Sequence, residues 1–421
     1  MTERQRRIGL GCNILSAMFE YIISILMSGV FLAKLTTTMG FSDSLTAILT
    51  SFVSLGSALQ IASIAVFRKN TVKRKVITLH LINQICFLIV YLVPLFECGA
   101  QLKTILFILF LLSGHFIANL VSAPKSNWMY SLIHSNIRGT FTAAKEMVSL
   151  IGGIVFQIVM GNVIDELEAG GELRKAFVLS AMVILVMLIA HAVSLFCIQE
   201  EVTESSRIGT SFREKLSGVL QDKVIMKVLV SGVLWSVANQ LTVSFLGVYQ
   251  IKELGFSMAY IAGLSVLYTV VRVPCSFVFG RYADKHSFAA MLKICYLLAV
   301  ISFGMIVFTT PATGKFLYPL YTIFNAAAVS GINGGEVAII FDYAPSFKTR
   351  DTLAVKQTVC GLLGFLVTVC AAPFVDRIQQ SGNRIWGIPL YAQQILALFS
   401  MLLGVGIVCY LHKVVSKIKP A

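Results

Sequence analysis

Two carboxylates stand inside long apolar stretches of this chain, and their neighbours recur at helical spacing. Glu20 is flanked by Asn13 and Ser16 on one side and by Ser24 and Met27 on the other, four and seven residues away. On a helix these positions form one polar stripe. A carboxylate at the edge of an aqueous cavity can take up and release a proton, which is the chemistry of ion-coupled transport; a structural ion pair is the alternative reading. Asn325 and Glu336 lie eleven residues apart, three helical turns, with Asn333 within about a quarter turn of Asn325. Gly331, Gly334 and Gly335 surround them, allowing close helix approach or a break that frees backbone groups for a ligand. Small residues with an amide also serve as plain helix-packing glue.

Further polar groups sit in similar surroundings. His115 and Asn119 share a helix face, where the imidazole is either a proton relay or a hydrogen-bonded core group. Trp235 and Asn239 share another face with Gln240 beside them, a combination that suits a sugar or another polar organic solute, or packing with one interhelical bond. Arg272, one turn after Tyr268, either clamps an anionic group or reaches to the membrane surface. For Lys125, Lys145 and Lys356 the expected behaviour is to extend to the interface, and Glu146 is expected to pair locally or with one of these cations.

The elements that must position these groups follow from composition. Of 421 residues, 57% are hydrophobic and only 13% are charged, about half the charge of a soluble protein. Apolar runs long enough to cross a bilayer as helix recur at 8–35, 43–66, 76–96, 103–130, 139–164, 174–198, 224–251, 257–279, 288–309, 315–344, 352–375 and 388–411. The first is too long for a signal-peptide core, so Met1 reads as the start of the mature protein. If the N-terminus is cytoplasmic, 20 Lys and Arg fall in the cytoplasmic segments and seven on the other side. That bias places both termini in the cytoplasm of a cell membrane. It also accounts for the net charge of +14 without nucleic acid. The nine cysteines are scattered with no CxxC pair, which points to packing rather than metal or disulfide roles.

The chain also repeats itself. MGFSDSLTAIL at 39–49 aligns with LGFSMAYIAGL at 254–264, and IRGTFTAAKE at 137–146 with TRDTLAVKQ at 349–357. Both offsets are about half the chain, which implies duplication. Residues 1–198 and 224–421 then form the two halves. The polar stretch 199–223 joins them, and within it SFREKLSGVLQ has the spacing of a surface-lying helix or is a solvated tether.

VFGRYADKHS at 278–287 sits between the eighth and ninth spans. With twelve spans, a duplicated six-span unit and a polar central loop, it resembles the signature G-x-x-x-D-(R/K)-x-G-(R/K)-(R/K) of the major facilitator superfamily. The stretch keeps Gly280, Asp284 and Lys285, with Arg281 between them. It has Ser287 for the second glycine and lacks the trailing basic residues. At the matching place in the first half, Ala65 replaces the glycine and Lys69 the aspartate.

The resemblance implies an all-α membrane protein of twelve helices in two pseudo-symmetric six-helix bundles, with a cavity lined by spans 1, 4, 7 and 10. It implies a cytoplasmic gate at Gly280, Arg281, Asp284 and Lys285, with Gly280 supplying a tight loop; a plain helix anchor is the alternative. The expected activity is secondary active transport of a small polar organic solute, sugar-like or an organic acid, as a monomer. Glu20 and His115 are the expected proton-coupling groups. Asn13, Asn119, Trp235, Asn239, Gln240, Arg272, Asn325, Asn333 and Glu336 are the expected solute contacts. Efflux of amphipathic compounds and a non-transporting sensor or assembly partner are the alternatives. No GxxxxGK(S/T), HExxH or GxSxG motif is present, so no enzyme activity and no cofactor is expected.

Overall fold

The computed structural model describes residues 3–58, 62–63, 73–133, 138–199, 217–343, 346–385 and 388–418. They are helical almost throughout: α1 (Glu3–Leu26), α2 (Gly29–Thr38), α3 (Asp43–Thr50), α4 (Phe52–Ala58), α5 (Lys73–Leu92), α6 (Ala100–Ser131) and α7 (Arg138–Ala169). Then come α8 (Leu173–Cys197), α9 (Lys223–Val248), α10 (Met258–Lys285), α11 (Phe288–Val307), α12 (Gly314–Tyr343), α13 (Ser346–Gln380) and α14 (Ala392–Lys413). A two-residue hairpin, Arg384–Ile385 with Ile388–Pro389, precedes α14.

Eleven stretches among the described residues are long and apolar enough to cross a membrane, and they match eleven of the twelve expected spans. The remaining one, 43–66, begins as α3 and α4; residues 59–61 and 64–72 lie outside the described residues, as does most of SFREKLSGVLQ.

α8 shows why these helices belong in lipid. Met182, Leu185, Val186, Ile189, Val193 and Phe196 are exposed along one face of it, while Phe177, Ile184 and Leu195 are buried together with its polar Ser180, His191 and Ser194. In water that exposed stripe would be an unburied apolar face. In hydrocarbon it is the solvent-facing side.

Two compact units partition the helices. The first contains residues 1–41, 55–208 and 257–262, the second residues 42–54, 209–256 and 263–421. The first unit packs Val76 and Ile77 of α5, Val121 and Trp128 of α6 and Leu195 of α8, with Leu132 and Ile198 just past the ends of α6 and α8, into one core. The second has a core where α9, α11, α12 and α14 meet, around Trp235, Tyr296, Phe303, Ile332 and Ile407.

The aligned segments at 39–49 and 254–264 share a backbone design. Gly40 and Gly255 both have positive φ, 76° and 63°, a conformation that excludes most side chains. Two residues on, Ser42 accepts from the Leu45 N–H and Ser257 from the Tyr260 N–H, each capping the helix that follows. A carboxylate assists at each. In the first unit Asp165 of α7 accepts from the N–H groups of Met258 and Ala259 at 2.9 and 2.8 Å. In the second, Asp376 of α13, 211 positions further on, accepts from the Ser44 hydroxyl at 2.6 Å.

The first span is broken. α1 stops at Leu26, and Ser28 and Gly29, the latter with φ 52°, turn the chain into α2. The Leu26 carbonyl at the break accepts from the Tyr91 hydroxyl of α5 at 2.9 Å. An irregular backbone inside lipid needs such a partner.

Candidate functional site

Glu20 projects from α1 into the first unit, where three other helices each present a polar group. Lys125 of α6 holds the Glu20 carboxylate at 2.5 Å and reaches His80 Nε2 of α5 at 3.3 Å; Nε2 lies 3.4 Å from the other Glu20 oxygen. Behind them the His80 and His191 rings meet edge to face at 4.7 Å, and the Gln84 side chain hydrogen-bonds His191 Nδ1. Both imidazoles are buried.

Ligand atoms of Glu20, His80 and His191 lie within 4.8 Å of one another, a nitrogen and oxygen donor set of the kind that can hold a metal ion. The Lys125 ammonium already occupies the cation position against both Glu20 and His80.

A cavity of about 140 Å³ opens beside the pair. Asn13, Ser16 and Glu20 line it from α1, His80 from α5, Ser122, Lys125 and Ser126 from α6, and Phe141 and Lys145 from α7. The spacing of Ser122, Lys125 and Met129 puts them on one face of α6, as the spacing of Asn13, Ser16 and Glu20 does on α1. Glu20 keeps 41% of its side-chain surface exposed, whereas Lys125 keeps 13%. The carboxylate is therefore the open end of the pair. Lower down the α1 stripe, Ser24 bonds the Tyr21 carbonyl and Met27 is buried at the break, so neither reaches the cavity.

The second unit holds its own ion pair. Glu336 of α12 accepts from Lys356 of α13 at 2.5 Å and from the Tyr296 hydroxyl of α11. Lys356 also donates to the Glu336 carbonyl at 2.9 Å. Gly232 of α9 faces the pair so closely that a Cβ there would overlap the carboxylate. Both partners are largely buried, at 13% and 8% exposure.

The other expected site residues are placed as follows. Asn13 joins Glu20 in the cavity. His115 does not line it; its ring packs on Phe87 at 5.1 Å and its carbonyl accepts from Asn119. Trp235 is buried against Tyr296 and Phe303, at 5.5 and 6.1 Å, as part of the core. Gln240 bonds Ser54, Asn239 is half-buried on the same helix, and Arg272 lies 5.7 Å from the Tyr268 ring. Asn325 is buried, while Asn333 is exposed.

Three readings change. Lys125 and Lys356 do not extend to the interface; each is held by a carboxylate from another helix. Gly280 does not form a tight loop. It lies within α10 with open space around it, and α10 continues to Lys285. The turn is only His286 and Ser287, with Ser287 capping α11 by accepting from the Ala290 N–H. Arg281 and Lys285 are exposed on the last turn of α10, and His286 stacks on Tyr282 at 4.3 Å. The side chain of Asp284, together with Ala65 and Lys69, lies outside the described residues.

His80 and His191 escaped the sequence reading. The signal was available, since an ionisable ring inside an apolar span is rare and marks a polar contact. It was applied to His115 and not to the two histidines that meet.

The sequence model of the Major Facilitator Superfamily matches residues 10–368. No curated protein matches the chain. Among solved structures, a variant of the nucleoside transporter NupG superposes with a TM-score of 0.73 at 12% identity, covering 96% of this chain and 99% of its own. A bacterial metal transporter gives 0.67 at 14%, covering 99% and 100%. A D-xylose–proton symporter gives 0.64 at 15%, covering 95% and 96%. At these identities the likeness is one of fold.

Proposed function

Since the chain belongs to the major facilitator superfamily, we propose that it is a secondary active transporter that moves a small polar organic solute by alternating access, driven by protons. The observation that carries this reading is the Glu20–Lys125 pair on the wall of the cavity. The pair links two binding events. While Glu20 is ionised, its charge holds the Lys125 ammonium. When Glu20 is protonated, that attraction is lost and the ammonium can turn to a solute. Proton and solute then favour each other's binding, and by linkage the coupling is reciprocal.

His80 and His191 support the pair. They replace lipid or apolar packing behind Glu20 with groups that can accept from Lys125 and orient it, and Gln84 fixes the ring of His191. Residues 1–198 and 224–421 are the halves that move in this reading, with both termini cytoplasmic in a cell membrane; the distribution of Lys and Arg supports that orientation. Among the neighbours of similar fold, a nucleoside transporter and a D-xylose–proton symporter move polar organic solutes. A polar cavity favours this class over amphipathic drugs.

Uptake into proteoliposomes under an imposed proton gradient tests the reading. Glu20→Gln is expected to abolish gradient-driven accumulation and flatten the pH profile, while exchange of solute across the membrane persists. Uptake with the same rate and pH dependence as the unaltered chain would remove Glu20 from the coupling.

A further inference from the structure

The chain crosses between its two compact units just after the two aligned glycines. Residues 1–41 belong to the first unit and 42–54 to the second, while 209–256 belong to the second and 257–262 to the first. Gly40 and Gly255, with φ of 76° and 63°, stand immediately ahead of those crossings. Each six-span half thus places the start of one helix in the unit built mainly from the other. The first half places α3 there, and the second places the start of α10.

Both placed segments are held by carboxylates at matching positions. In the first unit Asp165 of α7 accepts from the Met258 and Ala259 N–H groups at 2.9 and 2.8 Å. Gly161, one turn earlier on α7, is so close that a Cβ there would come 3.1 Å from the Met258 carbonyl oxygen. In the second unit Asp376 of α13 accepts from the Ser44 hydroxyl at 2.6 Å, and Ala47 packs on Ala371, Ala372 and Val375. Asp43, buried at 2% exposure, accepts from Gln379 and Lys252. Lys252 comes from the π-helical turn Tyr249–Glu253 that follows α9, a form concentrated at functional sites. Asp165 and Asp376 are 211 positions apart, as are Gly161 and Ala372.

A helix start exposes N–H groups and a partial positive charge, so a carboxylate from another helix holds it firmly yet reversibly. Asp165 and Asp376 are half-buried, so each can pass to water when its contact opens. Counted along the twelve spans, these residues end spans 1, 5, 7 and 11 or begin spans 2 and 8. They share the side of the membrane away from the termini.

We propose that the two sets of contacts form one latch on that side, closing together and releasing together each time the transporter opens there. This rests on the transport reading above. A half that moves with its own segment parts both sets, because each half holds a segment of the other. Gly40 and Gly255 supply the turn at which each segment leaves its hold.

The experiment is hydrogen–deuterium exchange of the full-length chain in lipid nanodiscs, read by mass spectrometry over peptides spanning 39–49 and 254–264. Residues 288–307 of α11, in the core of the second unit, serve as the reference. Asp165→Ala removes a hold on α10 alone. Its expected effect is exchange roughly threefold faster or more in 254–264, as local opening becomes easier. The same acceleration is expected in 39–49, most of which lies in the other unit, with 288–307 unchanged. Asp376→Ala is expected to accelerate both segments likewise, since coupling between two contacts is reciprocal. Ser44→Ala removes a single hydroxyl and puts the same question if a carboxylate variant fails to fold. Lys175→Met, at an exposed lysine paired with Glu172, should change neither segment.

Acceleration confined to the segment that each variant touches would show two independent caps and overturn the latch. Equal acceleration of 288–307 would mark general loosening and overturn it too. The transport reading is judged separately, by solute exchange in proteoliposomes. Coupled segments without exchange of any solute would refute the transporter and leave the latch, whereas solute exchange with uncoupled segments would refute the latch and leave the transporter.

Discussion

Lys356 and Glu336 show what one buried contact is worth at the scale of a residue. Their charges are removed from solvent, so each depends on the other and on the Tyr296 hydroxyl. Removing one member of such a pair typically costs about 3–5 kcal/mol, because the other charge stays buried and alone. Lys356→Met is therefore expected to lower stability by that order in denaturant or thermal unfolding. Adding Glu336→Gln should recover part of the loss, since the second change removes the orphaned charge. Equal losses that simply add would show that the two residues do not act as a pair. The four ionisable residues of the two pairs were legible in the sequence, because a charge in an apolar span is conspicuous. Their pairing was not. Glu20 and Lys125 are 105 positions apart, and helical periodicity says which face a residue occupies but not which helix that face meets.

At the scale of the element, the aligned segments were legible for a physical reason. Gly40 and Gly255 answer to a backbone conformation that few other residues tolerate, and Ser42 and Ser257 to the orphan N–H groups that every helix start exposes. Local demands of this kind leave a residue-level trace. The carboxylate that completes the cap of α10 left none, since Asp165 comes from another helix 93 positions away. Asp165→Ala should cost about 1 kcal/mol, the usual value of an N-cap acceptor, and show as a lower unfolding midpoint. Asp165→Asn, which keeps only one of the two acceptor oxygens and turns a donor toward the other N–H, should recover no more than part of it. If Asp165→Ala unfolds at the same midpoint as the unaltered chain, the cap contributes nothing. The expectation for Gly280 failed through the same locality. A glycine in a signature stretch suggested a tight loop, but the turn is set seven residues later by the Ser287 cap, and α10 continues through the charged residues.

Across the whole molecule, each unit carries an ion pair, and the two pairs differ in how far their carboxylates are exposed. Lys125 and Glu336 occupy matching places 211 positions apart, as do Lys145 and Lys356. The charge at the first place has been inverted between the copies. In the first unit the lysine of α6 reaches across to Glu20 of α1, whose side chain stays 41% exposed on a cavity wall. In the second unit the carboxylate of α12 turns to the neighbouring lysine of α13, both nearly closed off. Only an exposed carboxylate can exchange protons with water at each cycle without first breaking a packed core. Coupling should therefore follow Glu20, and the second pair should serve as a strut. In proteoliposomes Glu336→Gln is expected to keep the pH dependence of uptake per folded molecule, whereas Glu20→Gln should lose it in the molecules that fold, each substitution also lowering the folded yield because it leaves a lysine of 13% exposure without its carboxylate. A Glu336→Gln variant that folds well but transports without regard to pH would reverse the assignment and move the proton site to the second unit.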